Sequence, residues 1–153
     1  MPAQKLKEFL DRNGIRYVSI RHSPAYTAPE IAAAAHIHGK QLAKTVIVKI
    51  DGKLAMTVLP ANYHVNLEVL KKSLGAKSVE LAGEKEFKDK FPGCEIGAMP
   101  PFGNLYGMDL YAEDALEENE EIVFNAGSHT ELIKMSYKDF KRLAEPKVIS
   151  FLA

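Results

Sequence analysis

The sequence predicts an α+β fold with a mixed β-sheet, held in one domain spanning residues 1–153. Three observations point there. Two β-branched runs flank Asp51-Gly52 in "LAKTVIVKIDGKLAMTVLP", the dipeptide favoured in a tight hairpin turn. Strand and helix patterns alternate without the regular βαβ order of a parallel sheet. No internal repeat, low-complexity tract or linker-like stretch divides the chain.

Taken in order, residues 3–13 read as a helix, with Leu6, Phe9 and Leu10 as its apolar stripe and Gly14 as its stop. "IRYVSIRH" reads as a short strand. In "TAPEIAAAAHIHGK", Thr27 and Glu30 have capping-box spacing, Pro29 falls in the first turn, and Gly39 ends the helix. After the hairpin, a helix is expected over 66–74 with Gly75 closing it. "SVEL" follows as a short strand and "EKEFKDKF" as a short helix ended by Pro92-Gly93. Three strands, "MDLYA", "EIVFNA" and "TELIKM", precede a last helix that begins at Ser136, with Asp139 three residues on.

Composition excludes several classes. The start is charged and amphipathic, unlike a signal peptide, and no apolar run approaches the ~18 residues of a membrane span. A soluble chain with no membrane partner is expected. One cysteine, Cys94, cannot form an internal disulfide, which suits a reducing cytoplasm. Basic and acidic residues number 20 each, so the chain lacks the basic excess that wrapping a duplex requires. No DNA partner is expected; a small site for one nucleotide end remains compatible.

Two features stand out chemically. Strand alternation puts Lys44 on the face of Val46, Val48 and Ile50, with Thr45, Ile47 and Lys49 opposite. A lysine at the edge of an apolar face either snorkels to water or sets its ammonium at a cavity rim, facing a phosphate or polarised oxygen. The loop "EIGAMPPFGNLYG" carries Gly97, Pro101 and Gly103 in a GxxxPxG pattern. It is either a connection whose prolines and glycines set turns, or a rigid nest of backbone N–H groups for an oxyanion. It matches neither the phosphate-binding GxxxxGK[ST] nor the dinucleotide GxGxxG pattern.

The remaining candidates carry less. His36 and His38 lack a zinc-ligand spacing and read as surface residues, so no metal or cofactor is expected. His64 could face either way. Ser128 and His129 are adjacent and point to opposite strand faces, which makes a nucleophile–base pair poor and a pocket-lining Ser128 better. A catalytic Cys94 would need a contacting histidine and a lowered thiol pKa; a small buried hydrophobe is the plainer reading. Lys138, Lys141 and Arg142 form a solvated basic face on the last helix.

Together and in this order, "RHSPAYTAPEIAAAA", "QLAKTVIVK", "VLPANYHVNLEVLKKSLGAKSVELA", "GAMPPFG", "LYAEDAL" and "NAGSHTELIKMSYKDFKRL" resemble the YbaK/ProX aminoacyl-tRNA editing domains. These are related to the editing insertion of bacterial prolyl-tRNA synthetase. The resemblance covers about residues 17–143. It implies a sheet curved toward a barrel and flanked by helices, with a cleft for the 3′ end of an aminoacyl-tRNA. It also implies hydrolysis of the ester to a wrong amino acid, with Ala, Ser or Thr favoured here. Lys44 would face the substrate end, and the Gly97–Pro101 loop would offer N–H groups near the scissile carbonyl. Tyr26, Ala98, Met99, Pro100, Phe102, Gly103, Gly127, Ser128 and His129 would line the substrate. A synthetase or elongation factor could supply further tRNA affinity, and a non-catalytic binding module of the same fold is the alternative. Glu113 stands where several members carry Asp, and "MPPFGNLYG" departs from the cysteine-clearing branch.

Overall fold

A computed structural model describes residues 3–25, 27–35 and 40–152. The elements run α1 (Gln4–Arg12), β1 (Tyr17–Arg21), α2 (Ala28–Ala35), β2 (Ala43–Ile50), β3 (Lys53–Pro60), α3 (Leu67–Leu74), β4 (Val79–Leu81) and α4 (Glu84–Phe87). After the glycine–proline loop come β5 (Leu110–Glu113), β6 (Glu121–Ser128), β7 (Glu131–Ser136), α5 (Tyr137–Ala144) and β8 (Lys147–Ile149).

Local chemistry explains most of these boundaries. Asp51 and Gly52 both take positive φ, 50° and 83°, the geometry that lets β2 and β3 pair in register from Ala43↔Pro60 to Ile50↔Lys53. Thr27 caps α2, accepting the Glu30 N–H at 3.3 Å. Asn66 caps α3 by accepting the Val69 N–H at 3.2 Å. Ser136 caps α5 through the Asp139 N–H at 3.1 Å. The Gly39 end of the expected α2 unit, with His36 and His38, lies outside the described residues.

The mixed sheet is present, but in two pieces. A five-stranded sheet has the order β4-β2-β3-β5-β8, antiparallel across β4-β2-β3 and parallel across β3-β5-β8. An antiparallel three-stranded sheet has the order β1-β7-β6. They touch through a parallel bridge between Leu42 and Val123, and through the Val123 N–H donated to Gln41 O at 2.9 Å. The expected curvature is therefore produced by two sheets meeting at an edge, and no barrel closes.

The main core fills the space between the sheets and under α1 and α5. It includes Leu6, Leu10, Ile47, Met56, Val58, Phe102, Phe124, Ile133 and Phe140. On the far side of the five-stranded sheet, Leu70 of α3 packs with Val48, Leu59, Tyr111 and Phe151. On the far side of the three-stranded sheet, Ile31 of α2 packs with Ala25, Leu42, Val123 and Leu132. The cavity described next opens at the seam where α2, both sheets and the glycine–proline loop meet.

Candidate active site

A cavity of about 280 Å³ is walled by Thr27 and Ile31 of α2, Leu42, Ala43, Lys44 and Thr45 entering β2, Ala61 after β3, Gly97 of the loop, and Asn125 of β6. It brings together the two features singled out in the sequence, Lys44 and the GxxxPxG loop, from segments more than 50 residues apart. A larger, shallower groove of about 890 Å³ runs along α1, β1 and β7, and none of the predicted site residues lines it.

Lys44 sits where alternation placed it. Val46, Val48 and Ile50 all pack in the α3 cluster, and Lys44 continues that row at the start of β2, paired across the hairpin with Leu59. Its side chain is partly buried, and burial alone pushes its pKa below the ordinary lysine range. Among the described residues it makes no hydrogen bond or ion pair. A partly desolvated ammonium without a counter-ion, at a cavity wall, is poised to receive an electron-rich oxygen.

The loop reaches the cavity because it is stitched to β6. The Glu95 N–H donates to Gly127 O at 2.7 Å, and the Gly127 N–H donates to Ala98 O at 2.8 Å. Between Asn125 and Ser128 the β6–β7 register shifts, so β6 bulges where the loop docks. Gly97 turns at φ 86°, a conformation costly for any residue with a Cβ, and a Cβ there would lie 3.6 Å from His129 Cε1. The His129 ring backs the loop, its Nε2–H donating to Ile96 O at 2.9 Å. Glu95 Oε2 accepts the His129 N–H at 3.4 Å.

Part of the loop's set of N–H groups is already committed within the protein. Pro100 and Pro101 have no N–H, the Ala98 N–H donates to Glu95 O at 3.1 Å, and the Phe102 N–H to Pro100 O at 2.9 Å. Among the described residues the Gly97 N–H meets just the Met99 thioether at 3.3 Å, a weak acceptor that an oxyanion could displace. Ala98, Met99, Pro100, Pro101, Phe102 and Gly103 are buried and do not wall the cavity. Phe102 stacks edge-on to Phe9 and Phe140, with ring centroids 6.0 and 5.5 Å away, and so anchors the loop in the core.

Other predicted residues sort as follows. Ser128 is the last residue of β6, where its Oγ accepts the Thr130 N–H at 3.4 Å, and it does not wall the cavity. Gly127 contributes its backbone to the stitching. Tyr26 lies outside the described residues. Cys94 is partly buried with its Sγ 3.5 Å from Tyr106 Oη. Burial pushes its thiol up, against smaller opposing effects from the Tyr106 hydroxyl and Lys5, which is the reverse of what a nucleophilic cysteine needs. His64 is exposed. Among the described residues no cluster of histidine, cysteine or carboxylate side chains could hold a metal ion.

Sequence reasoning missed Asn125, Thr45 and Thr27 as wall residues. Asn125 left a signal: it interrupts the apolar residues of "IVFNA", on the same strand face as Val123, which packs under α2. A polar side chain beside a buried apolar one on the same face calls for a partner or a ligand.

Comparison with known proteins completes the picture. The chain is 28% identical to the Multifunctional Ser/Thr-tRNA deacylase ProXp-y of Escherichia coli K12, covering 97% of this chain and 91% of that one. It is 30% identical over 87 residues to the proline–tRNA ligase of Bacillus mycoides, covering 57% of this chain but 15% of the ligase. A solved structure described as a candidate trans-editing enzyme for prolyl tRNA synthetase superposes with a TM-score of 0.84 at 20% identity, over 99% of this chain and 97% of that chain. Hypothetical protein APE2540 superposes with a TM-score of 0.86 at 21% identity, over 98% and 100%. These two establish shared fold. The aminoacyl-tRNA editing domain family matches residues 22–143, most of the chain and every wall of the cavity, and the chain belongs to that family.

Proposed function

We propose that this chain is a free-standing editing deacylase of the cytoplasm, which hydrolyses the ester joining a misattached small amino acid to the 3′-terminal adenosine of a tRNA. Serine and threonine are the first substrates, followed by alanine. The observation that carries the reading is the meeting of Lys44 and Gly97 in one small cavity of a chain from the editing family. The near full-length alignment to the E. coli Ser/Thr-tRNA deacylase supports the choice of side chain and action without a fused synthetase.

The chemistry asks little of side chains. An aminoacyl ester is already activated, so holding it beside a water and stabilising the oxyanion can suffice. Water adds to the carbonyl carbon, the tetrahedral intermediate collapses, and the bond to the ribose oxygen breaks as that oxygen takes a proton. Lys44 is suited to the developing negative charge or to a ribose or phosphate oxygen beside it, and the Gly97 N–H is suited to the carbonyl oxygen. A volume of about 280 Å³ lies below the ~300–1,000 Å³ of drug-sized pockets, in keeping with an aminoacyl end and not a whole dinucleotide. Zero net charge leaves most tRNA affinity to a few local contacts, or to a synthetase or elongation factor that holds the tRNA.

The test is a deacylation panel: one tRNA charged in turn with serine, threonine, alanine, cysteine or proline, incubated with the purified protein. Release of the small misattached residues, with the cognate ester spared, is the expected outcome. Stable binding of the aminoacyl-tRNA without release would replace the enzyme with a binding module.

A further inference from the structure

We propose that Asn125 selects for a hydroxyl on the substrate's amino-acid side chain; this rests on the deacylase reading above and sharpens its substrate class. The starting point is an unsatisfied group. Asn125 Oδ1 is buried and accepts no hydrogen bond among the described residues, while the residue walls the candidate cavity. Its strand neighbours show how anomalous that is. Ile122, Phe124 and Ala126 face the inter-sheet core, and Val123 faces the α2 cluster with Leu132, the cross-strand partner of Asn125. An apolar residue would leave no polar atom unpaired here, whereas a buried amide oxygen without a partner costs stability in the empty protein.

Oδ1 has almost no surface open to the cavity as it stands, so a ligand can supply what is missing once the amide turns toward the cavity. An amide offers an acceptor on one atom and donors on the other, and half a turn about its last bond exchanges them. A hydroxyl is the small group that matches both. The competing donor on any aminoacyl ester is its α-ammonium, and charge argues against it. Lys44 already places a cation in the cavity without a counter-ion among the described residues, and none of the described wall residues is a carboxylate that could hold a second one. Serine and threonine then complete Asn125, while alanine leaves it as unpaired as in the empty site. A pocket that hydrogen-bonds its substrate discriminates in this way, because the analogue without the group leaves a buried polar atom unpaired.

The experiment compares wild type with Asn125→Leu, of similar size without the amide, and with Asn125→Ala. Each is assayed by deacylation of the same tRNA carrying serine, threonine or alanine. Binding of amide-linked, non-hydrolysable seryl- and alanyl-adenosine is measured in parallel, together with thermal unfolding. The expected result is a loss about ten-fold larger for the seryl and threonyl esters than for the alanyl ester. The seryl preference in binding should vanish, and Asn125→Leu should melt no lower than wild type. An equal loss on all three esters would assign Asn125 to the common part of the substrate and overturn the proposal, as would no loss. Marked destabilisation of Asn125→Leu would show that the amide is satisfied and also overturn it. If wild type hydrolyses none of the esters, the deacylase reading fails, and the analogue binding still decides whether Asn125 reads the hydroxyl.

Discussion

Replacing Lys44 by methionine removes a charge while keeping a flexible stem of similar length beside Leu59. Because Lys44 has no counter-ion among the described residues and burial depresses its pKa, its charge opposes folding. Partial exposure limits that penalty, so Lys44→Met should change stability by less than about 1 kcal/mol, upward if at all. Deacylation should respond very differently: a positioned group that stabilises an oxyanion is worth about 10²–10³ in rate, or about 2.7–4 kcal/mol. The pH dependence has a definite sign. With a folded pKa below the unfolded one, the folded state binds fewer protons in the window between them, so wild-type stability rises with pH across that window. Activity, which needs the ammonium, falls as pH climbs through the lowered value, below the ordinary lysine range. Single-turnover release of labelled serine from mischarged tRNA, paired with unfolding across pH 7–10, measures both. A Lys44→Met rate within about three-fold of wild type would refute the catalytic assignment. A stability loss above about 2 kcal/mol would refute the claim that the charge is uncompensated.

Cys94→Ala should retain deacylation within about two-fold, because burial holds the thiol protonated near neutrality; a loss of 10²-fold or more would make the cysteine the nucleophile. Glu131, buried in β7, accepts from Ser19, lies 2.5 Å from Lys7 Nζ and faces Arg21 at 3.7 Å. Burial pulls its carboxyl up, but the hydrogen bonds and charges of these partners outweigh that and hold it below the usual range. Its stabilisation is therefore present above the ordinary carboxylate pKa and lost as pH falls through the lowered value. Glu131→Gln should cost about 1–3 kcal/mol at pH 7, discounted for the exposed Arg21, and the two stability curves should converge in acid. Gly103→Ala would put a Cβ 2.4 Å from Met108 O and 3.2 Å from Met108 C, so it should cost about 1–3 kcal/mol in melting experiments; an unchanged midpoint would mean that the loop yields freely.

Much of this protein is decided by rules that act over a few residues. The Asp51-Gly52 hairpin, the caps at Thr27, Asn66 and Ser136, and the face on which Lys44 lies follow from turn chemistry, side-chain competition for end N–H groups, and two-residue strand alternation. For that reason they could be read without coordinates. The strand β8 could not: it is three residues long and exists because β5 offers a parallel edge, Tyr111↔Lys147 to Glu113↔Ile149. Splitting of the sheet likewise depends on where Leu42 and Val123 meet, 81 positions apart in the chain.

The site divides along the same line. Proline and glycine in "GAMPPFG" announced a rigid loop, but only packing determined which part of it faces the ligand. Phe102 is drawn inward by Phe9, Phe124 and Phe140, and this burial, together with two hydrogen bonds to Gly127, leaves Gly97 as the loop residue that walls the cavity. Asn125 was one polar letter in a strand until β6 set it beside Lys44 and Gly97 with its amide oxygen unpaired. The sequence determined which residues were unusual, because local propensity is written in it directly. Tertiary structure decided which of them share a cavity, because that depends on the long-range contacts that bury one face of each element and expose the other.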